Sequence, residues 1–307
     1  MILTVTPNPA LDLTYHVDAL EIGETHRVDA ARSRAGGKGL NVARVVHQTG
    51  NAALALAPLG GATGREFETE LKASGVPHAL VPVSISTRRS VAIVDALGGE
   101  TTILNERGEA LAPADWHTLV DAAARLADDA DCIVGSGSLP PDAPADFYAN
   151  LVGLARDRGL PSIIDATGPA LLKAAQAGAS VLKPNRLELA DSTGESDPVV
   201  GARRLIEFGA GIVLVSLGAD GMICVTADAA APVVRARLAS PLVGNPTGAG
   251  DAGVAAVAVA LVTGESDPAL LLRHATAWSA AAVLMPVAGE ISESYRELEA
   301  QLVIDRF

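Results

Sequence analysis

Near its C-terminal end the chain reads Val243-Gly-Asn-Pro-Thr-Gly-Ala-Gly-Asp-Ala-Gly253, a glycine-rich turn placed before a long Ala- and Val-rich segment. Gly248 and Gly250 permit positive φ and close backbone approach. A helix starting there presents unpaired amides and a partial positive charge, which suits a phosphate or a developing anion. Asp251 falls in the first turn of that helix. A carboxylate is a poor neighbour for a passive pyrophosphate. It is a good acceptor for a hydroxyl proton while the adjacent amides steady a transferring phosphoryl group. Read alone, the same residues also suit a plain turn with Asp251 as a helix cap.

Two other phosphate-binding patterns fit the sequence poorly. By letter, Gly248-Ala-Gly250-Asp-Ala-Gly253 fits the dinucleotide motif G-x-G-x-x-G. A nicotinamide-binding unit, however, needs a longer strand before the turn and an acidic residue about 20 residues on, at the end of a second strand. A helix, Thr263-Gly264 and another helix follow here instead. A Walker A loop is absent as well: Gly37-Lys38 has Arg32 where that motif needs glycine and Gly39 where it needs Ser or Thr.

The elements that must position this turn are legible from periodicity. Residues 2–5, 53–57, 132–135, 162–165, 180–182 and 212–216 read as strands. Between them lie helical patterns at 39–49, 114–127, 144–158 and 199–208, and the last third carries two long helices, 249–263 and 268–284. Such alternation predicts a parallel sheet covered on both faces. Residues 13–34 and 88–104 break the rhythm with alternating apolar and polar residues around the turn Gly98-Gly99, which predicts a small antiparallel patch. A patch with one exposed apolar face should cover an active site or a second subunit.

Composition sets the limits. The 49% hydrophobic and 19% charged content suits a large buried core, and 3% aromatics means that core is mostly Ala, Val, Leu and Ile. A net charge of −13 with no basic block disfavours nucleic acid as a partner. Cys132 and Cys224 sit in apolar runs as buried thiols, with neither a disulfide framework nor metal-ligand spacing. The N-terminal residues lack a signal-like pattern, and the longest apolar run, 254–262, is too short for a membrane span. A cytoplasmic protein with no membrane partner is the expectation.

Two separated signatures, Gly36-Gly37-Lys38-Gly39-x-Asn41 and Thr247-Gly248-Ala249-Gly250-Asp251, are supported by four lesser segments. These are Asn8-Pro9-Ala10-Leu11-Asp12, Gly137-Ser138-Leu139-Pro140, Lys183-Pro184-Asn185-x-x-Glu188 and Ser216-Leu217-Gly218-Ala219-Asp220-Gly221. Together, and in this order over essentially the whole chain, they resemble the ribokinase-like phosphofructokinase B family. The likeness is to its branch of 1-phosphofructokinases and tagatose-6-phosphate kinases.

The resemblance implies a ribokinase-like αβα three-layer fold in the α/β class, with a mostly parallel central sheet. Residues 1–307 would form one kinase domain whose small β lid comes from about 13–34 and 88–104. It further implies a site. Asp251 would be the base, and the amides of Gly248, Ala249 and Gly250 would hold the transferring group. Asp12 would accept sugar hydroxyls, a job for a group that can take two donors. Gly36 and Gly37 would let the sugar lie against the backbone, flanked by Lys38 and Asn41.

Arg88 would pair with the phosphate already on the sugar, near Ser138 and Lys38, since a guanidinium suits bidentate phosphate binding. Arg89 would face solvent. Arg27, on the lid, would either reach the phosphate in a partner subunit or stand as an exposed strand arginine. ATP would meet Lys183, Asn185, Gly250 and the loop Ser216, Leu217, Gly218, Ala219, Asp220 and Gly221. Asn185 and Glu188 would organise Mg²⁺ through water. A homodimer through the lid is expected.

Two departures from the family pattern lie near the sugar end: Asp142 where glycine is usual after Leu-Pro-Pro, and Glu109 where proline is common. The reaction expected is ATP-dependent phosphorylation of a ketohexose phosphate, led by fructose 1-phosphate giving fructose 1,6-bisphosphate. Tagatose 6-phosphate and fructose 6-phosphate are the alternative acceptors. An NAD(P)-dependent oxidoreductase and a non-catalytic sugar-phosphate binder are the readings from other classes.

Overall fold

A computed structural model describes the chain from Met1 to Phe307. In its first third, β1 (Ile2–Val5), β2 (Ala10–Val17) and β3 (Arg32–Gly36) precede α1 (Lys38–Gln48), β4 (Ala53–Leu59), α2 (Gly61–Ala73) and β5 (His78–Pro82). There follow β6 (Arg88–Asp95), β7 (Thr101–Asn105), α3 (Pro113–Leu126), β8 (Cys132–Ser136), α4 (Phe147–Arg156) and β9 (Ser162–Asp165). Next come α5 (Gly168–Gln176), β10 (Val181–Leu182), α6 (Arg186–Thr193), α7 (Pro198–Phe208) and β11 (Ile212–Ser216). The chain finishes with β12 (Met222–Thr226), β13 (Val234–Leu238), α8 (Ala249–Val262), α9 (Pro268–Val283), α10 (Tyr295–Ala300) and β14 (Leu302–Arg306).

Ten strands form the main sheet in the order β14-β13-β12-β11-β10-β9-β8-β1-β4-β5. From β11 to β5 every pairing is parallel, and β12, β13 and β14 extend one edge antiparallel. The central strands are short apolar runs because both of their faces are covered. Alternate residues feed two clusters. Ile2, Cys132 and Val134 join 39 buried residues with α1, α2, α8 and α9, whereas Leu3, Val5 and Ile133 join 34 with α3 to α7. The three-layer reading holds.

α8 is apolar on every side, and Asp251 through Ala258 are all buried. A helix of that kind belongs inside the molecule. It lies between α1 and α9, so its N-terminus cannot wander. No helix is long and apolar enough to cross a membrane.

The second sheet has the order β3-β2-β6-β7. It corrects the expected antiparallel patch in two ways. β2 pairs with β6 in parallel across eight residues, so the sheet is mixed. Residues 18–31 lie outside it, leaving Arg27 exposed on a connection rather than on a strand. The turn at Gly98-Gly99 is where the sequence puts it, tied by the Gly98 amide donating to Asp95 at 2.7 Å.

Asp142 is the one non-glycine residue with positive φ, at 56°. The departure from glycine therefore costs backbone energy, since an L-residue in the left-handed region is disfavoured by about 1–2 kcal/mol, less for Asp. Asp142→Gly is expected to raise Tm by about 1–2 °C in a thermal melt. A lowered Tm would show that the aspartate makes compensating contacts.

Candidate active site

A cleft of about 1350 Å³ runs along the carboxyl ends of the parallel strands. It opens where β1 is flanked by β8 on one side and β4 on the other, the switch point at which open α/β sheets bind ligands. Each strand delivers a polar group as it ends. Ser138 lies just past β8, Asp165 closes β9, Lys183 follows β10 and Ser216 closes β11, and all four line the cleft.

One wall is the N-terminus of α8. Gly248 caps it at φ 83°, and a Cβ there would come within 2.7 Å of Ala288 Cβ, so only glycine fits. A Cβ on Gly250 would stand 3.2 Å from the Lys183 ammonium, which places that cation directly beside the open amides. Asp251 is only 5% exposed and accepts a hydrogen bond from Asn41 Nδ2 at 2.8 Å. Burial and the neighbouring Asp165 carboxylate push its carboxyl up to about 7, against the opposing pull of Lys38, Asn41 and Lys183. That value suits a general base working near neutrality.

Lys38 occupies the middle of the cleft. Its ammonium donates to Asp165 Oδ1 at 3.2 Å and to Glu188 Oε1 at 3.1 Å, rather than sitting free beside Arg88 and Ser138. Burial works against its charge, but these carboxylates overcome it and hold the ammonium above its usual range. Asp165, itself fully buried, would be raised by burial, yet Lys38 and Lys183 hold its carboxyl below the ordinary value. Sequence reasoning missed Asp165. The available signal was an acidic residue ending the buried run Ser162-Ile-Ile-Asp165.

The Asn185-x-x-Glu188 pair is a reciprocal helix cap. Glu188 N donates to Asn185 Oδ1 at 2.8 Å, and Asn185 N donates to Glu188 Oε2 at 2.9 Å. No group of three or more acidic, His or Cys side chains could enclose a metal ion by itself. What does face the cleft are the carboxylates of Asp165 and Glu188, hard oxygen donors around Lys38. They fit a Mg²⁺ that keeps most of its waters and arrives on phosphate oxygens.

The opposite end is built on β2 and β6. Asp12 is pushed up to about 6 by burial, partly offset by Arg88, Arg34 and Arg44, with Glu70 adding to the rise. A Cβ on Gly36 would overlap its carboxylate, so the glycine is needed behind Asp12 rather than in the cleft. Arg88 donates from Nε and Nη2 to Asn8 O, both at 3.2 Å, and from Nη1 to Glu106 O at 3.1 Å. Asn8 also donates to Arg107 O at 3.1 Å and Ser138 Oγ at 3.2 Å, joining three predicted or new site residues. Arg89 is exposed, as alternation on a strand requires. Glu109 lies behind Arg88, where its carboxylate accepts from the Ser86 amide at 3.4 Å.

Most predicted residues thus meet in one cleft, with exceptions. Arg27, Gly36, Leu217 and Asp220 do not line it. Leu217 packs under its loop, and Asp220 accepts from Arg235 on the outside. The apolar far end, with Met222, Leu238, Leu242 and Val283, was not read from the sequence, because β12, β13 and α9 converge there only on folding.

The pH dependence follows from Asp251. If Asp251 is the proton acceptor it must be ionised, and kcat/KM is then expected to rise with pH through about 7. Asn41→Ser removes a hydrogen bond to the charged form, and its acid limb should move to higher pH. Titration of the substrate's phosphate could not produce that displacement, and an unmoved limb would detach Asp251 from it.

Known proteins resemble this chain along most of its length. Residues 6–293 match the pfkB family carbohydrate kinase description. The ATP-dependent 6-phosphofructokinase isozyme 2 of Mycobacterium tuberculosis is 36% identical over 271 residues, covering 86% of this chain and 79% of that protein. Phosphofructokinase-2 from Escherichia coli, solved in complex with fructose-6-phosphate, is similar with a TM-score of 0.84 and 27% identity, over 97% of this chain and 98% of that one. A possible 1-phosphofructokinase from Thermotoga maritima has a TM-score of 0.89 at 24% identity, over 100% and 99%, a likeness of fold.

Proposed function

We propose, from the premise that this chain belongs to the pfkB family of carbohydrate kinases and is an ATP-dependent sugar kinase, that its acceptor is a fructose monophosphate and its product fructose 1,6-bisphosphate. The observation that carries this reading is one continuous cleft with Asp251 and the α8 amides at its centre. Asp12 and an arginine free of carboxylate partners stand at one end, and apolar walls at the other.

Asp251 takes the proton from the sugar hydroxyl as that oxygen attacks the γ-phosphorus of ATP, while the bond from that phosphorus to the β,γ-bridging oxygen breaks and ADP leaves. The amides of Gly248, Ala249 and Gly250 stabilise the transferring group. Asp12 orients the sugar through its hydroxyls, and Arg88 binds the phosphate it already carries. Asp165 and Glu188 would hold the waters of a nucleotide-bound Mg²⁺, which would supply neutralisation of phosphate charge. Ser216, Gly218, Ala219 and Gly221 edge the nucleotide end. The smaller sheet serves as a lid of a single kinase domain, excluding water and so suppressing ATP hydrolysis. Its exposed Ile103 and Leu104 support pairing of two chains through the lid, and a monomeric mass by light scattering at micromolar concentration would remove that part.

Between the acceptors, fructose 6-phosphate stands first, supported by the relatives from M. tuberculosis and E. coli. Fructose 1-phosphate is the second reading, favoured by the segments Asn8–Asp12 and Gly137–Pro140. Turnover with MgATP is compared across fructose 6-phosphate, fructose 1-phosphate, tagatose 6-phosphate, fructose and ribose. Preference for either fructose phosphate upholds the proposal and names the acceptor. Preference for an unphosphorylated sugar overturns it.

A further inference from the structure

Three guanidiniums, those of Arg34, Arg44 and Arg88, act on the Asp12 carboxylate, but two of them are already matched to other acids. Arg34 on β3 donates to Glu290 at 2.9 Å, and Arg44 on α1 donates to Glu70 at 2.6 Å. Arg88 differs in making its hydrogen bonds to backbone carbonyls only, with no carboxylate partner. No protein group donates a hydrogen bond to Asp12, which leaves its oxygens open. The pattern separates cations that hold the structure from the one available to a substrate anion.

Glu70, on α2, has a second task. Its Oε2 accepts from the Ala35 amide at 2.8 Å, while Arg44 donates to the Ala35 carbonyl at 3.1 Å. β3 is an edge strand, and its outer backbone groups would otherwise lack partners. One ion pair therefore closes both outer groups of Ala35, directly before Gly36, Gly37 and Lys38. Arg44 is 7% exposed, so its charge must find a carboxylate inside the protein. If Glu70 is removed, Asp12 and Glu290 are the acids left within reach of that charge, and Glu290 is already paired with Arg34, which leaves Asp12 as the unpaired one.

We propose that Glu70 is a positioning residue for the sugar end of the cleft: it keeps Arg44 away from Asp12 and pins the β3 edge, leaving Asp12 free for sugar hydroxyls. The inference rests on the proposed sugar-phosphate kinase reading. It concerns a side chain outside the cleft that touches no substrate.

The test is steady-state kinetics on the full chain with its preferred sugar phosphate and MgATP. Glu70→Gln keeps an acceptor for Ala35 but drops the charge. It is expected to raise KM for the sugar phosphate about ten-fold, with kcat within about three-fold and KM for ATP unchanged. Adding Arg44→Gln removes the cation that Glu70 restrains, and should return the sugar-phosphate KM to within about three-fold of the parent. A merely structural role would make the double variant as poor as the single one, or poorer, and that result overturns the proposal. So does an unchanged KM in Glu70→Gln, or equal rises for both substrates.

Should Glu70→Gln fail to fold, Glu70→Asp, with the charge one methylene short, is expected to raise the same KM about three-fold. No change there also overturns the proposal. If the parent phosphorylates no sugar phosphate, the functional reading falls and this inference falls with it. If the parent is active and Glu70 variants are indifferent, the inference alone falls.

Discussion

Asp251→Asn is expected to lower turnover by about 10²–10⁴-fold, with KM for both substrates within a few-fold of the parent. The substitution keeps size and can keep a polar contact with Asn41, but asparagine cannot take a proton. Stability supplies the control. The Asp251 carboxyl is raised from 3.8 to about 7 by burial and by Asp165, so the folded chain holds this proton more tightly than the unfolded one. Stability from this group therefore falls as pH climbs from about 4 to about 7, and above that range its buried charge is a net cost. Asparagine is neutral throughout. At pH 8 the variant should melt at the same temperature as the parent or higher. Near-normal turnover would remove Asp251 as the base, and a Tm several degrees lower would assign the lost activity to folding.

Arg88→Met is expected to raise KM for the sugar phosphate by about 30-fold or more, because losing one partner of a desolvated charge pair costs about 2–5 kcal/mol. KM for ATP should stay unchanged, since Arg88 stands on β6, away from the apolar end of the cleft proposed for the nucleotide. Any weak turnover of free fructose should be unaffected, narrowing the preference for the phosphorylated sugar. Methionine retains much of the apolar stem, which limits the packing loss. Equal losses for free and phosphorylated sugars would show that Arg88 supports the loops of Asn8 and Glu106 rather than a phosphate.

Local patterns carried much of this. Short apolar runs such as Cys132–Val134 could only be strands covered on both faces, and the alternation with helices led to the layered architecture. Glycine identity was equally informative where a side chain has no room. Gly248, at positive φ against Ala288, is a backbone requirement written into residue type, and Gly36 leaves room for the Asp12 carboxylate. The mixed sheet was misread because periodicity reports which face a residue takes, not whether its neighbour runs parallel. That choice depends on β2 and β6, whose sequence separation is large.

Residue roles were harder. Asn185-x-x-Glu188 looks like a metal motif and is also a helix cap, since one spacing serves both. Lys38 was grouped with the sugar-phosphate residues from sequence, and its pairing with Asp165 and Glu188, acids 127 and 150 residues away in the chain, was not legible there. Sequence by itself determined the layered fold, the glycine-rich helix start and the acid at its first turn, because each depends on a few neighbouring residues. Only the tertiary structure decided which charges are already matched. Burial removes water as the alternative partner, so the free energy of Arg44, Lys38 or Asp12 depends on acids and bases brought from distant segments.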